Sequence, residues 1–375
     1  MEKGLRALPD LSWQSLNRPV DEMHPIRLQH NEVAVGAYID NIYSIGASKE
    51  VVSATQRALH QHMDDVGLVI GDVHPVQRKL KEVGVIFDGE TNTLCHPLEK
   101  TVILRKAALF LASQRRMRGD TLQVLLGHFT WAFSINRPLY SIFGAAYKFV
   151  EMVGPNWARS WSSVQRELRI GARSLLFVDA SLGRPVCDTC LCSDAEGVNG
   201  DDNGGGAVVA CELSSQSATQ FLCDTGLRTL PGAKNTKFVK WTNGQRWHVV
   251  EQRRWRHPAH VNILELEALP LGVKRVGRSS VARGGLLCAM TDSSTVFYSV
   301  RKGRSSKLQL RRLLQRLACV LLLHDLRLTL QWVPSEVCPA DAPSREKGAY
   351  AAEIVQRERR RAYQAWGTAY VSTGV

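Results

Sequence analysis

Acidic residues are scarce in this chain beside basic ones: 35 Asp and Glu against 48 Lys and Arg, a net charge of +13 at pH 7. A basic surplus of that size points to a polyanionic partner, nucleic acid being the commonest. A secretory signal is missing, because the opening MEKGLRALPDLSW has no apolar core followed by a small-residue cleavage site. Long hydrophobic runs are missing too; the longest, around ACVLLLHDL, is too short and interrupted to span a bilayer. The expected setting is therefore intracellular, cytoplasmic or nuclear, with no membrane partner. In that setting the nine cysteines are reduced thiols rather than a disulfide scaffold. No internal repeat is present, and the one low-complexity stretch, from Asp194 to Gly206, is glycine and acidic.

What remains is a chain able to fold. Its apolar content of 44% supports real cores, and 375 residues suit two or three domains. Residues 33–45 read as two strands around a polar turn at Asp40-Asn41, and 49–67 as a helix with Gly67 as its C-cap. GVIFDGETNTLCHP reads as a hairpin. From 98 to 153 the spacing is helical, and the aromatic stripe of Phe129, Trp131, Phe133, Tyr140 and Tyr147 reads as core. SLLFVDA, AVVACEL and residues 241–251 then read as strands. A helix follows with Asn262 as N-cap and Glu265 at its third position. Next come a buried strand GLLCAMTD, helices through LQLRRLLQRLACVLLL, a strand RLTLQWV and a closing helix. This order implies a mixed sheet with helices on its faces.

Four carboxylates stand in separate short motifs of that half: Asp179 in LLFVDAS, Glu265 in VNILELEAL, Asp292 in LLCAMTDSSTV and Asp341 in WVPSEVCPADAPSR. Carboxylates at strand ends and helix starts converge at one sheet edge. Gathered there without a cation they repel and raise one another's pKa, whereas a hard divalent ion takes such oxygens as ligands. Two ions roughly 3.5–4 Å apart clamp the attacking and leaving oxygens of a phosphodiester displacement. The cysteines Cys187, Cys190 and Cys192 in CDTCLC offer half a zinc pattern, but no second pair follows at the usual spacing, and they read as exposed thiols.

FVDAS, NILELEA, TDSSTV and WVPSEVCPADAPSR resemble the RNase H domain of DIRS-like or LTR-type retroelement polyproteins, which lies downstream of reverse transcriptase. AYIDNIYSIG is similar to the palm turn bearing the family's Y-x-D-D motif, and GVIFDGETNTLCHPLEK to the primer-grip hairpin. LQVLLGHFTWAFSINRPLYSIF resembles the thumb and connection helices, so the likeness covers residues 33–345 in the family's order. It implies an α/β chain with a truncated palm (1–97), a helical thumb and connection (98–172), and an RNase H-like mixed five-stranded sheet with flanking helices (173–346, with an insert at 183–204). An Arg-rich helical tail closes it (347–375). The implied activity is endonucleolytic cleavage of the RNA strand of RNA–DNA hybrids. Asp179, Glu265, Asp292 and Asp341 would hold two Mg²⁺ ions, with Mn²⁺ as a substitute. Glu265 takes the helix role by its match to E-L-x-A, which leaves Glu267 solvated.

This chain also departs from the family. The polymerase turn reads Tyr38-Ile39-Asp40-Asn41, an amide in place of the second metal-binding Asp. Only 37 residues precede Tyr38, too few for the fingers and the earlier palm strand. The expectation is a polymerase-inactive chain, or one completed by a separate polymerase partner. In the nuclease half, Cys338 and Ser293 stand where the family has Asn, and Pro270 follows Glu265 inside its helix. His324 reads as a helix-end residue. Two other readings stand beside the nuclease: a catalytically dead nucleic-acid-binding relic of a retrotransposon, and an integrase- or resolvase-like nuclease, which the ELEA helix and PADAPSR ending disfavour.

Overall fold

The computed structural model describes residues 33–38, 41–82, 84–197, 204–214, 231–232 and 236–345. The chain divides into two units, Met1–Leu80 with Asp88–Glu90, and Lys81–Phe87 with Thr91–Val375. In the first, β1 (Val33–Tyr38) and β2 (Asn41–Gly46) form an antiparallel hairpin from Val33↔Gly46 to Tyr38↔Asn41. Helix α1 (Lys49–Asp65) starts at Ser48, whose hydroxyl accepts the Val51 N–H at 3.3 Å. It runs out at Gly67, where φ of +73° suits glycine. The hairpin and helix expected from the sequence are both present. β3 (Lys79–Glu82) follows.

β4 (Val85–Asp88), whose first three residues belong to the second unit, and β5 (Thr93–Cys95) are neighbouring strands, as the GVIFDGETNTLCHP pattern implied. A helical layer comes next: α2 (Leu98–Ser113), the short β6 (Arg116–Arg118), α3 (Gly119–Phe133), a 3₁₀ turn over Ser134–Ile142, α4 (Gly144–Val153), β7 (Trp157–Arg159) and α5 (Ser162–Ser174). Phe129 and Phe133 are fully buried and pack against Phe143, so this part of the aromatic stripe is core. The run SLLFVDA does not form a strand of the five-stranded sheet. Ser174 ends α5, Leu175–Phe177 is a 3₁₀ turn, and only Asp179–Ser181 (β8) is extended, pairing with β5. Leu175 and Val178 are buried in the helical core instead, which satisfies the apolar pattern that suggested a strand.

The remaining elements are β9 (Val186–Ala195), β10 (Gly205–Glu212), α6 (Thr236–Gly244), β11 (His248–Arg254), α7 (Val261–Gly277), β12 (Leu286–Thr291), α8 (Ser294–Lys302), α9 (Leu308–Leu323), β13 (Arg327–Trp332) and α10 (Asp341–Arg345). They build a five-stranded mixed sheet of order β11-β10-β9-β12-β13. β9, β10 and β11 are antiparallel; β9, β12 and β13 are parallel. The mixed α/β class and the five-stranded sheet expected from the sequence are thus present, but the leading strand is a different one. Residues 183–204, expected as an inserted loop, contain β9, the central strand. The expected strand over 241–251 begins only at His248, because Trp241 belongs to α6.

One sheet face is covered by α7 and α9, with Leu191, Val208, Leu266, Leu269, Val273 and Leu314 buried between them. A buried side chain of this size contributes about 1.5–3 kcal/mol. Gly272 is what lets α7 lie so close, since a Cβ there would sit 2.6 Å from Val208 Cγ1. The opposite face is a sulfur-rich layer of Cys190, Cys192, Cys211 and Cys288 under Phe238, Val333 and Cys338. Among the described residues no helix is long and apolar enough to cross a membrane. The Arg-rich tail, 347–375, lies outside the described residues.

Candidate metal centre

Parallel register brings two strand ends together. Cys192 on β9 pairs with Met290 on β12, so Asp194, near the end of β9, and Asp292, just past β12, each two residues further along, stand at the same end of the sheet. Glu265 reaches that end from the first turns of α7, on the face opposite Cys190 and Cys192. The helix begins at His260, whose ring accepts the Asn262 N–H at 3.3 Å, so His260 rather than Asn262 is the cap. Pro270 sits inside α7 and is buried, yet the helix continues to Gly277. Glu265 lies a turn before it, where the missing proline N–H removes nothing. A carboxylate oxygen from each of Asp194, Glu265 and Asp292 then lies within 4.8 Å of the other two.

The electrostatics are those of crowded, half-buried carboxylates. Burial pushes the Glu265 carboxyl up to about 7; the charges of Asp292 and Asp194 add to this and the Ser293 hydroxyl opposes it. Burial also pushes Asp292 up to about 6, with Asp194 adding its repulsion and the Ser335 hydroxyl opposing it. Glu265 Oε2 and Asp292 Oδ1 are buried with no hydrogen-bond partner. Leaving a buried carboxylate oxygen unpaired is costly. An all-oxygen, anionic donor set with orphaned atoms fits a hard divalent cation. Ser293 caps α8 by accepting the Val296 N–H on its hydroxyl at 3.2 Å.

Of the four carboxylates singled out in the sequence, Glu265 and Asp292 meet, while Asp179 does not join them. Asp179 opens β8, and its backbone carbonyl accepts a hydrogen bond from Arg327, the first residue of β13. Asp292 lies beside Trp332 at the other end of β13, five steps away or about 16 Å at strand rise. Asp194 takes the place at the edge. Its signal was available in the sequence: an apolar, Cys-rich strand ending in Ser193-Asp194, followed by glycines and a second strand. Cysteine in a reduced protein behaves as a small buried hydrophobe, so CDTCLC is strand core rather than exposed loop. Cys187 packs on one face and Cys190 on the other, so this pair cannot share a zinc ion.

Asp341 opens α10, the short helix whose Ser344 hydrogen-bonds Asp194 Oδ2 at 2.7 Å. Its own carboxylate forms a 2.5 Å ion pair with Arg345 and is not one of the converging three. Glu267, expected to be solvated, is half-buried between Arg253 at 3.7 Å and Arg316 at 3.8 Å. His324 caps the end of α9. In the other unit, Tyr38 and Asn41 pair at the tip of the β1–β2 hairpin, and Asp40 lies outside the described residues.

No protein-family model matches the chain, and no curated protein does. Among solved structures it is similar to a foamy viral protease-reverse transcriptase dRH in complex with double-stranded DNA, with 12% identity, a TM-score of 0.35, and coverage of 80% of this chain and 46% of that one. It is similar to the foamy viral protease-reverse transcriptase in complex with RNA/DNA hybrid, with 11% identity, a TM-score of 0.33, and coverage of 83% and 58%. The N-terminal RNase H domain of Rv2228c from Mycobacterium tuberculosis, solved as a fusion with maltose-binding protein, matches at 13% identity and a TM-score of 0.27, over 46% of this chain and 99% of that one. The chain spans about half the length of the foamy viral chains it matches.

Proposed function

We propose that this chain is an RNase H-like endonuclease that hydrolyses the RNA strand of RNA–DNA hybrids. Asp194, Glu265 and Asp292 hold the divalent metal, and Asp341 completes the shell once released from Arg345. The observation that carries this reading is the convergence of three carboxylates within 4.8 Å at the shared end of two parallel strands. Mg²⁺, or Mn²⁺ in its place, supplies when bound an activated water and neutralisation of the scissile phosphate, the two-ion arrangement being the one proposed. The chain's own residues orient that chemistry. The rigid end of the sheet fixes Asp194 and Asp292, and α7 presents Glu265 from the opposite face. The +13 surplus holds the phosphate backbones. Selectivity for the hybrid would rest on 2′-hydroxyl contacts.

The same reading makes the polymerase half inactive, because Asn41 offers a neutral oxygen where a charged metal ligand is needed. Asn41 also favours a second reading, a nucleic-acid-binding relic that has lost catalysis throughout. Incubating the full chain with a labelled RNA–DNA hybrid and Mg²⁺, beside an Asp292→Asn variant, separates the two. Cleavage by the wild type alone supports the nuclease. Salt-sensitive binding without cleavage supports the relic.

A further inference from the structure

One short segment reaches two of the three carboxylates with two hydroxyls. Ser335 Oγ donates to Asp292 Oδ2 at 2.8 Å, and Ser344 Oγ donates to Asp194 Oδ2 at 2.7 Å. Both serines belong to WVPSEVCPADAPSR, which leaves the sheet at Trp332. Ser344 Oγ also lies 2.8 Å from the Asp341 carbonyl oxygen. A hydroxyl carries one proton, and an ionised carboxylate is the stronger acceptor. In each contact the serine occupies one named oxygen of the acid. For Asp292 the other oxygen, Oδ1, is left buried and unpartnered, as is Glu265 Oε2, and a carboxylate oxygen of each residue lies within 4.8 Å of the other.

The segment is held in place by other bonds. Trp332 Nε1 donates to the Asp292 carbonyl at 2.7 Å, the Val333 N–H to Thr291 O at 2.9 Å, and Gln252 Nε2 to Pro343 O at 2.5 Å. Cys338, midway along it, is buried with its Sγ 3.6 Å from Cys192 Sγ. The hydroxyls are therefore not what anchors the segment, and their bonds act on the carboxyl groups.

Resting on the nuclease reading, we propose that Ser335 and Ser344 are positioning residues that set the rotation of the Asp292 and Asp194 carboxyl groups and so determine how tightly the site takes a divalent cation. The bond to Ser335 fixes the Asp292 carboxyl plane with Oδ1 turned toward Glu265. Ser344 does the same for Asp194 and ties the turn carrying Asp341 to the same carboxylate. Partners of metal-binding carboxylates commonly govern affinity by 10–100-fold.

The test is Mn²⁺ binding to the full chain, read by electron paramagnetic resonance, for the wild type and for Ser335→Ala, Ser335→Thr and Ser344→Ala. Urea midpoints in EDTA are measured alongside. Ser335 is exposed, so its alanine variant should fold with an unchanged midpoint. It should bind Mn²⁺ about tenfold more weakly. The threonine variant, which keeps the hydroxyl, should return to near wild-type affinity. Ser344→Ala should weaken binding at least as much. Wild-type affinity in Ser335→Ala overturns the proposal, as does failure of the folded threonine variant to recover. If the wild type binds Mn²⁺ and the alanine variants lose it, yet no hybrid is cut, the nuclease reading falls and the positioning role stands. If hybrids are cut and the alanine variants bind normally, the reverse holds. A wild type that binds no Mn²⁺ removes both.

Discussion

The indole Nε1 of Trp332 donates a 2.7 Å hydrogen bond to the backbone carbonyl of Asp292. Thr291 is the last residue of β12 in register with β13, so the carbonyl of Asp292 lies just past the ladder and this bond replaces what the ladder no longer supplies. Trp332→Phe keeps a ring in place and removes the donor. It should cost about 1 kcal/mol of stability. Hybrid cleavage should fall more steeply, by about tenfold, since small misplacements of a catalytic group are expensive. Urea unfolding and single-turnover cleavage check this together; two wild-type results would show that the indole does not hold the strand end.

Asp194 and Asp179 make opposite predictions under one assay. Asp194→Asn removes a charge from the converging three and should reduce hybrid cleavage by at least about 100-fold, as loss of an essential catalytic group does. Asp179→Asn alters an exposed side chain at the other end of β13 and should leave cleavage within about twofold. The reverse pattern would mean that the edge formed by β9 and β12 is not the active one.

These carboxylates differ in how far the sequence discloses their place in the fold. Glu265 and Asp292 were legible because each motif matches its element: a helix rich in Leu and Ala, and an apolar strand stopped by Thr-Asp-Ser. Asp194 was hidden because its strand is built from Cys, Thr and Ser, which read as loop chemistry until the sheet buries them. SLLFVDA looked like a strand because four apolar residues run together, but Leu175 and Val178 finish a helix and enter the helical core. Trp241 suggested a strand for a similar reason, whereas it stacks on Phe238 within α6 and meets Trp247 edge-on. Periodicity identifies an apolar face without saying which core receives it.

The raised carboxyls predict how the metal-free protein responds to pH. Glu265 stands at about 7 and Asp292 at about 6 in the fold, both above their ordinary values, chiefly through burial. A folded-state pKa above the unfolded one means stability present at low pH and lost as pH rises, here across the window from about 4 to 7. Asp292→Asn removes this penalty. In EDTA it should therefore be more stable than the wild type at pH 7.5, by roughly 1–2 kcal/mol allowing for partial exposure, and no more stable at pH 4. Mg²⁺ should stabilise the wild type at pH 7.5 and leave the variant nearly unmoved. Thermal melts at the two pH values decide it, and equal melts at pH 7.5 would remove the electrostatic strain from the account.

The sulfur-rich sheet face predicts an order of thiol reactivity. Cys319 is exposed and Cys95 partly so, whereas Cys187, Cys190, Cys192, Cys211, Cys288 and Cys338 are buried. Burial pushes the thiols of Cys190 and Cys192 upward, and that of Cys187 up to about 11. The thiolate is the reactive form, so these three should be the slowest of the set. Among the described cysteines, iodoacetamide applied to the native chain should modify Cys319 first, while Cys190 and Cys192 should react only on unfolding, as peptide mass spectrometry would show. Because Cys187 and Cys190 face opposite sides of β9, a zinc chelator should not expose them. Rapid native labelling of Cys192, or a chelator that releases both cysteines of the pair, would mean that this stretch is the exposed or metal-bound loop its composition suggested rather than the central strand.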